Sequence, residues 1–205
     1  MCTKTAFILL SPQAFPRFRY LFMYRNSVKN LMSSLGQLTL DPAPKAFRFI
    51  MDSPLLSTIL PFLRSSYYHH HVFLNEKKLQ GVSVKTLDTV GVLTAAWAAN
   101  ISAVADLRFK GYNISSILYE DFMINPRRSI SLLLTLLDIR KEHLGLAVEA
   151  LKTDVNCGPS HDSSVMDPRR ALTLADRQNA DNVLRAYGLA KLGERFEVAG
   201  LLKLE

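Results

Sequence analysis

The order of apolar and polar positions along the chain predicts two strands separated by helices. Residues 19–24, Arg-Tyr-Leu-Phe-Met-Tyr, form an apolar and aromatic run, and residues 114–119 form a second run. Such runs are typical of strands buried on both faces of a parallel sheet. Because helical patterns lie between and after them, we predict an α/β fold with a small parallel sheet flanked by many helices.

The helices are predicted from apolar residues spaced three and four positions apart. The first is expected to end at Gly36, and a long second helix is expected over residues 86–110. Five helices are predicted in this way, and the residues of their apolar faces, in chain order, are Val28, Leu31, Met32 and Leu35; Leu87, Val90, Thr94, Trp97, Ile101, Val104 and Ala105; Ile130, Leu133, Leu134 and Leu137; Leu144, Ala147, Val148 and Leu151; Ala180, Val183, Leu184 and Tyr187. The remaining predictions are a short helix over residues 55–63 and irregular segments over residues 38–54, 64–84 and 153–170.

Local signals mark the ends of the later helices. Asn125-Pro126 places a capping asparagine before a proline at the first helical position. Thr173 and Asp176 have the spacing of a capping box, and Gly188 suits the left-handed position that ends a helix. One helix is therefore expected to begin at Pro126, and another to run from just after Thr173 to Gly188.

Composition narrows the class of protein. The chain has 205 residues, of which 48% are hydrophobic, enough to bury a core in a single domain over residues 1–205. Its net charge of +7 favours an anionic partner such as a phosphorylated nucleotide, a polyanion or a nucleic acid. The Lys and Arg residues are scattered, without a zinc-finger, helix-turn-helix or aromatic-ladder pattern, which argues against nucleic acid.

The apolar segments do not have the form of a membrane span. The nearest candidate, residues 89–105, contains Thr94, Asn100 and Ser102, so a buried helix is the better interpretation. Residues 6–10 are too short an apolar run for a convincing signal peptide. We therefore expect no membrane span and a cytoplasmic location, and the secretory path stays open if the chain is incomplete at its N-terminus.

Cysteine and histidine do not form a metal-binding pattern in the sequence. Cys2 and Cys157 are far apart and belong to no Cys-x-x-Cys pair, so free thiols are expected. Three consecutive imidazoles, His69 to His71, cannot converge in one regular element, because only alternate residues share a face of a strand. A solvated loop is the preferred interpretation, with metal ligation or a place near an acceptor pocket as alternatives. No metal is predicted.

Candidate chemistry lies where the first strand meets the first helix. Arg25 follows the strand directly, at the edge where open α/β sheets bind ligands. The helix N-terminus adds free N–H groups, and the guanidinium suits phosphate. Residues 1–40 contain no Asp or Glu, and Asn26, Asn30 and Ser33 share a polar edge of the helix. This pattern indicates an oxyanion site; an ordinary surface arginine at a helix start is the alternative.

A second candidate segment ends the second predicted strand. Tyr119 is followed by two carboxylates, Glu120 and Asp121. A tyrosine at this position could stack on a base or donate a hydrogen bond to it. The alternative is a strand-end tyrosine whose ring belongs to the core.

Together these two segments resemble the sulfotransferase family, whose members transfer a sulfuryl group from 3′-phosphoadenosine 5′-phosphosulfate to a hydroxyl or amine. The family pattern has a buried strand, an Arg followed by Asn or Asp, and a Ser eight residues after the Arg, which Arg25-Asn26 and Ser33 match. A later strand ends in Tyr-Glu-Asp before Leu, Met or Phe, with Asn-Pro or Asp-Pro a few residues on. The matching residues are Tyr119, Glu120, Asp121, Phe122, Asn125 and Pro126.

The resemblance covers about residues 15–190 and implies a P-loop-NTPase-like sulfotransferase fold. It implies that Arg25 and Ser33 hold the 3′-phosphate of the co-substrate and that Tyr119 faces the adenine. The partners implied are this nucleotide and an unidentified hydroxyl or amine acceptor.

The family's loop for the 5′-phosphosulfate is not found in the sequence. That loop is rich in Lys and Gly, Ser or Thr and lies upstream of the Arg motif, whereas only 24 residues precede Arg25 and no Gly-Lys pair occurs. The chain is therefore expected to be a truncated fold without its N-terminal strand–loop–helix unit. Residues 1–24 also contain no His, Asp or Glu, so no catalytic base is assigned. We expect the chain alone to be inactive; a non-catalytic nucleotide-binding or interaction scaffold is the alternative function.

Overall fold

A computed structural model of the chain describes residues 19–40, 88–152 and 172–198, with residues 14, 15, 17, 53, 201 and 202. Strand β1, Tyr20–Tyr24, pairs in parallel with strand β2, Ile114–Leu118, and Tyr24 lies opposite Leu118. The expected α/β fold with a small parallel sheet is confirmed. The predicted helix at 55–63 and the irregular segments at 41–52, 64–84 and 153–170 lie outside the described residues, as do Cys2, Cys157 and His69 to His71.

Six α-helices and one 3₁₀ turn accompany the strands in the described part of the chain. Their bounds are α1 Ser27–Leu40, α2 Thr89–Phe109, α3 Tyr119–Ile124, α4 Pro126–Leu136, a 3₁₀ turn Lys141–His143, α5 Leu144–Lys152 and α6 Leu174–Ala186.

Two predicted boundaries are wrong. Helix α1 continues through Gly36 to Leu40, because a glycine inside a helix costs only about 1 kcal/mol and does not by itself end it. Residues 38–40 are therefore helical and do not belong to a loop. The second strand ends at Leu118, and Tyr119 begins helix α3, which the apolar run had concealed.

The sheet lies between two groups of helices. Alternate residues of β2 point to opposite faces: Ile114 and Leu118 pack in the core formed with α2 and α6, whereas Ile117 packs with Phe122 and residues of α4 and α5. Helix α1 packs against α2 and α6 through Leu31. Each face of the strand pair thus has its own apolar layer, as the buried runs predicted.

Helix α2 is buried on nearly all sides, whereas the sequence predicted a single stripe. Alanines opposite the large residues, among them Ala95, Ala99 and Ala103, are fully or almost fully buried as well. The helix is long and apolar enough to cross a membrane by length and composition, and 72% of its most apolar 18-residue window is buried inside the chain. Small side chains allow neighbouring elements to approach it from several directions.

The predicted start and end signals of the later helices are confirmed. Asn125 Oδ1 accepts a hydrogen bond from Arg128 N at the start of α4, and Thr173 forms the capping box with Asp176. Gly188 has φ +68°, and Leu189 N donates to Leu184 O at 2.9 Å, as in a Schellman motif. Local side-chain chemistry therefore determines where these helices begin and end.

One element escaped the sequence analysis. Leu201 forms a parallel bridge with Ser116, and Leu202 N donates to Ser116 O at 2.8 Å. The C-terminal end of the chain thus satisfies part of the edge of β2 that faces away from β1. Two residues carry no period-2 pattern, so this pairing has no signal in the sequence.

Helix α2 offers a matched pair of substitutions. Leu107 is fully buried, whereas Phe109, two residues on, is 95% exposed. We expect Leu107→Ala to lower the free energy of unfolding by about 2–5 kcal/mol, because it leaves a cavity. Phe109→Ala, the control, should change it by less than about 0.5 kcal/mol. Urea unfolding followed by circular dichroism measures both, and equal effects would contradict the burial of this helix.

Candidate functional site

The candidate site lies at the carboxyl ends of the two strands. Because β1 and β2 are parallel and Tyr24 lies opposite Leu118, the residues that follow them emerge side by side. Arg25 follows β1, and Tyr119 follows β2. The parallel pairing therefore brings together two of the three predicted nucleotide-binding residues.

Arg25 packs on the ring of Tyr119. Its Cζ lies 4.9 Å from the ring centroid, a cation–π distance. Both side chains are partly buried, and the Nε of Arg25 is enclosed without a hydrogen-bond partner in the described part of the chain. A buried guanidinium N–H without an acceptor is unfavourable, so this N–H is an unsatisfied donor among the described residues.

The backbone around Arg25 is held from the core. Trp97, on α2, donates its indole N–H to Arg25 O at 3.1 Å. Asn26 Oδ1 accepts from Val28 N at 3.0 Å and so caps the start of α1. These bonds fix the direction in which the chain leaves β1, and with it the base of the Arg25 side chain.

A carboxylate from helix α3 completes this edge. Asn26 N donates to Glu120 Oε2 at 3.1 Å, and Glu120 Oε1 is enclosed without a hydrogen-bond partner among the described residues. The sequence around Arg25 shows no carboxylate, because residues 1–40 contain no Asp or Glu. The fold corrects that picture by bringing Glu120 from a segment 94 positions away.

Ser33 lies farther along the same helix. It is partly buried in α1, and six residues at 1.5 Å each place it about 9 Å along the axis from Ser27. Residues 26, 30 and 33 lie on one helix face by their spacing. A single phosphate held by both Arg25 and Ser33 would therefore lie along the first two turns of α1.

A C-terminal segment, residues 189–198, crosses this edge, and we call it the strap. Gly193 N donates to Ser27 Oγ at 3.1 Å, and Asn26 Nδ2 donates to Gly193 O at 3.4 Å. Arg195 makes a two-pronged ion pair with Asp121, with N–O distances of 3.2 and 2.8 Å. The strap thus contacts both the loop after β1 and helix α3, and no motif in the sequence had indicated this segment.

Tyr24 anchors the strap from the last position of β1. Its hydroxyl donates to Phe196 O at 3.0 Å and accepts from Val198 N at 3.4 Å. Burial raises the pKa of Tyr24 above its ordinary value of 10.0, and the hydrogen bond from Val198 opposes that rise. The neutral hydroxyl is therefore the form that the folded protein favours.

The described residues provide no evidence for a metal centre. They contain no group of three or more His, Cys, Asp or Glu side chains placed to hold a metal ion. His143 lies beside Glu142 at 3.6 Å on an exposed turn, far along the chain from the strand ends.

Comparison of the chain with models of protein families, with curated proteins and with solved structures finds no match. The chemistry of this site is therefore argued from its own geometry.

Tyr24→Phe tests the anchor. Losing both hydrogen bonds should lower the free energy of unfolding by about 1–3 kcal/mol at pH 7, since Val198 N stays buried. A raised pKa means that the folded state holds the hydroxyl proton more tightly than the unfolded chain. This stability is complete below about pH 10 and is lost as the pH rises through the raised pKa.

The difference in unfolding free energy between wild type and Tyr24→Phe should therefore narrow above pH 10. Urea titrations at pH 7, 9, 10 and 11 measure it. A difference that stays constant over this range would contradict the burial of the hydroxyl.

Proposed function

We propose that the chain is a sulfotransferase-like protein that binds a 3′-phosphoadenosine nucleotide at the carboxyl ends of β1 and β2. The observation that carries the proposal is the Arg25 guanidinium stacked on Tyr119, with an enclosed Nε donor that has no partner in the part of the chain that the structure describes. Ligands of open α/β sheets bind outside the carboxyl ends of the strands. The two residues come from the two segments that resemble the family, although they are 94 positions apart in the chain.

The charges at this edge support a phosphate group. Helix α1 has no acidic residue in its own first turn, and the carboxylate at its start, Glu120, comes from α3 and accepts from Asn26 N at 3.1 Å. Arg25 adds a planar guanidinium, which matches phosphate geometry better than an ammonium group does. In the proposed complex Arg25 and Ser33 hold the 3′-phosphate.

Tyr119 has a defined part in the same complex. One face of its ring is covered by Arg25, so an adenine would stack on the opposite face or contact the hydroxyl. A guanidinium that lies between phosphate and ring binds the anion and keeps the ring in place. This shared use explains why an arginine and a tyrosine, and not two independent side chains, would form the site.

Sulfuryl transfer makes further demands. The acceptor oxygen or nitrogen forms a bond to sulfur, the bond from sulfur to the phosphate oxygen breaks, and the acceptor loses its proton to a base. The sequence lacks the Lys- and Gly-rich loop that the family uses for the 5′-phosphosulfate, and it suggests no base upstream of Arg25. We therefore propose nucleotide binding for this chain and expect no transfer by the chain alone.

The test of binding is calorimetry with 3′,5′-adenosine bisphosphate. Arg25→Ala should weaken binding by about 1.5–3 kcal/mol, or about 10- to 150-fold, because a charge-assisted hydrogen bond is lost. Arg19→Ala is the matched control. Arg19 lies just before the amino end of β1, the end opposite to the site, and donates to Leu136 O at 2.9 Å. The substitution removes the same charge and should leave the dissociation constant unchanged.

Two results would contradict the nucleotide site. Equal weakening by Arg19→Ala and Arg25→Ala would mean that only net charge matters. An absence of heat at millimolar nucleotide would favour the scaffold function. Urea unfolding followed by far-ultraviolet circular dichroism confirms in each variant that the fold is intact.

The test of transfer uses a radiolabelled sulfuryl donor with a panel of sugars, phenols and amines. We expect nucleotide binding without labelled product, because the residues for the 5′-phosphosulfate are not recognisable in the sequence. Sustained turnover that Arg25→Ala abolishes would show that the chain catalyses transfer by itself, and would overturn the expectation of no transfer.

A further inference from the structure

The strap contacts the loop after β1 and the helix after β2 at the same time. From this arrangement we infer that the strap, through Arg195 and Gly193, positions Arg25 against Tyr119, so that Arg195 is a positioning residue of the nucleotide site. The inference rests on the proposed function for its ligand, whereas the coupling of strap to site is a property of the protein itself.

The first attachment is to the loop after β1. Gly193 uses both backbone groups here: its N–H donates to Ser27 Oγ, and its carbonyl accepts from Asn26 Nδ2. Ser27 is buried, with 6% exposure, so this contact is shielded from water. The strap is thus bonded to the two residues that directly follow Arg25.

Gly193 is suited to this contact by its backbone. Its φ of +89° is one that other residues rarely adopt. A Cβ at this position would lie 3.3 Å from Val28 Cγ2, tighter than ordinary contact. A side chain would therefore require Val28 or the strap to shift by a few tenths of an ångström, in addition to straining the backbone. Gly188 also has a positive φ, +68°, but a Cβ there would meet nothing within 4 Å, which makes it a matched control.

The second attachment is to α3. The two terminal nitrogens of Arg195 bond both oxygens of Asp121, and its Nε donates to Glu197 Oε1 at 3.3 Å. The Asp121 side chain is only 18% exposed and lies two positions after Tyr119. Since all three guanidinium nitrogens of Arg195 face carboxylates, its part here is to hold α3 rather than to bind phosphate itself.

The attachments form a closed circuit. Asn26 and Ser27, which follow Arg25, are hydrogen-bonded to the strap, and Arg195 of the strap is paired with Asp121, which lies two positions after Tyr119. The bond from Asn26 N to Glu120 is a second, direct connection between the loop after β1 and α3. Without the Arg195–Asp121 ion pair, α3 would still be attached to the loop after β1 by the Asn26–Glu120 bond and the Arg25–Tyr119 contact, but no longer to Arg195 of the strap. We therefore expect the stacking of Arg25 on Tyr119 to loosen.

The experiment compares Arg195→Ala, Arg195→Lys and Arg177→Ala in the full chain. Arg177 is exposed on α6, so its substitution matches the charge lost without touching the strap. The first readout is the dissociation constant of 3′,5′-adenosine bisphosphate. We expect about fivefold to twentyfold weaker binding for Arg195→Ala, partial recovery for Arg195→Lys, and wild-type binding for Arg177→Ala.

The double variant Arg195→Ala/Asp121→Asn separates positioning from charge. Arg195→Ala leaves Asp121 as an extra negative charge near the phosphate, and Asp121→Asn removes it. If Arg195 acted only by neutralising Asp121, the double variant would bind like wild type, and the inference would be wrong. If the ion pair positions α3, binding stays weak in the double variant.

The second readout needs no nucleotide. Trp97 donates to Arg25 O, so its emission and near-ultraviolet circular dichroism report on the loop after β1. Gly193→Ala should shift both signals, whereas Gly188→Ala should leave them as in wild type. Unchanged signals in Gly193→Ala would overturn the coupling of strap to loop.

The two proposals fail in different ways. If the wild-type chain does not bind the nucleotide, the proposed function is wrong, and the Trp97 signals of Gly193→Ala still decide whether the strap holds the loop after β1. If the wild type binds and Arg195→Ala binds equally well, the nucleotide site stands and the positioning role is wrong. Urea unfolding shows that each variant is folded under the assay conditions.

Discussion

The structure of the site depends on the parallel pairing of β1 with β2 in the register that sets Tyr24 opposite Leu118. Parallel strands need a long crossover connection, which includes helix α2 here. A shift of one residue would turn Ile114 and Leu118 away from the α2 layer and bring Ile117 towards it. The two apolar layers therefore fix the register, and the register fixes which side chains meet at the carboxyl edge.

The loop after β1 and helix α3, which meet at this edge, are held from different directions. The loop after β1 is held from the core, because Trp97 on the buried helix α2 binds the Arg25 carbonyl. Helix α3 packs inward through Phe122, and on its outer side Asp121 is held by Arg195 of the strap. The bond from Trp97 is covered by the core, whereas the side chain of Arg195 is largely exposed. The geometry of the site should therefore vary more on the Tyr119 side than on the Arg25 side.

The sequence predicted the elements where the pattern was long or the signal was local. The strands, helix α4 with its Asn125 cap and helix α6 with its Gly188 end are confirmed, because apolar periodicity and capping chemistry act within a few residues. Gly36 was misread, since a single glycine inside a helix costs only about 1 kcal/mol and does not by itself end it. Of the site, the sequence predicted Arg25 and Tyr119, and the structure places them in contact. Glu120 and the strap act through pairings between distant segments, for which a single sequence carries no periodic signal.

The acidic residues near Arg25 bear on how such a site could bind an anion. Glu120 and Asp121 follow Tyr119 directly and would oppose a phosphate if their charges were uncompensated. Asp121 is paired with Arg195, and Glu120 accepts a backbone N–H from Asn26, which leaves Arg25 stacked on a neutral ring. In a guanidinium paired with a carboxylate the N–H groups are already bonded, whereas a guanidinium stacked on tyrosine still has N–H groups to donate to a ligand. Asp121 is thus engaged by Arg195, whereas Glu120 bonds Asn26 N through one oxygen and keeps the other without a partner among the described residues. Arg25 is stacked on Tyr119 and is bonded to neither carboxylate in this part of the chain, which leaves its guanidinium for a ligand.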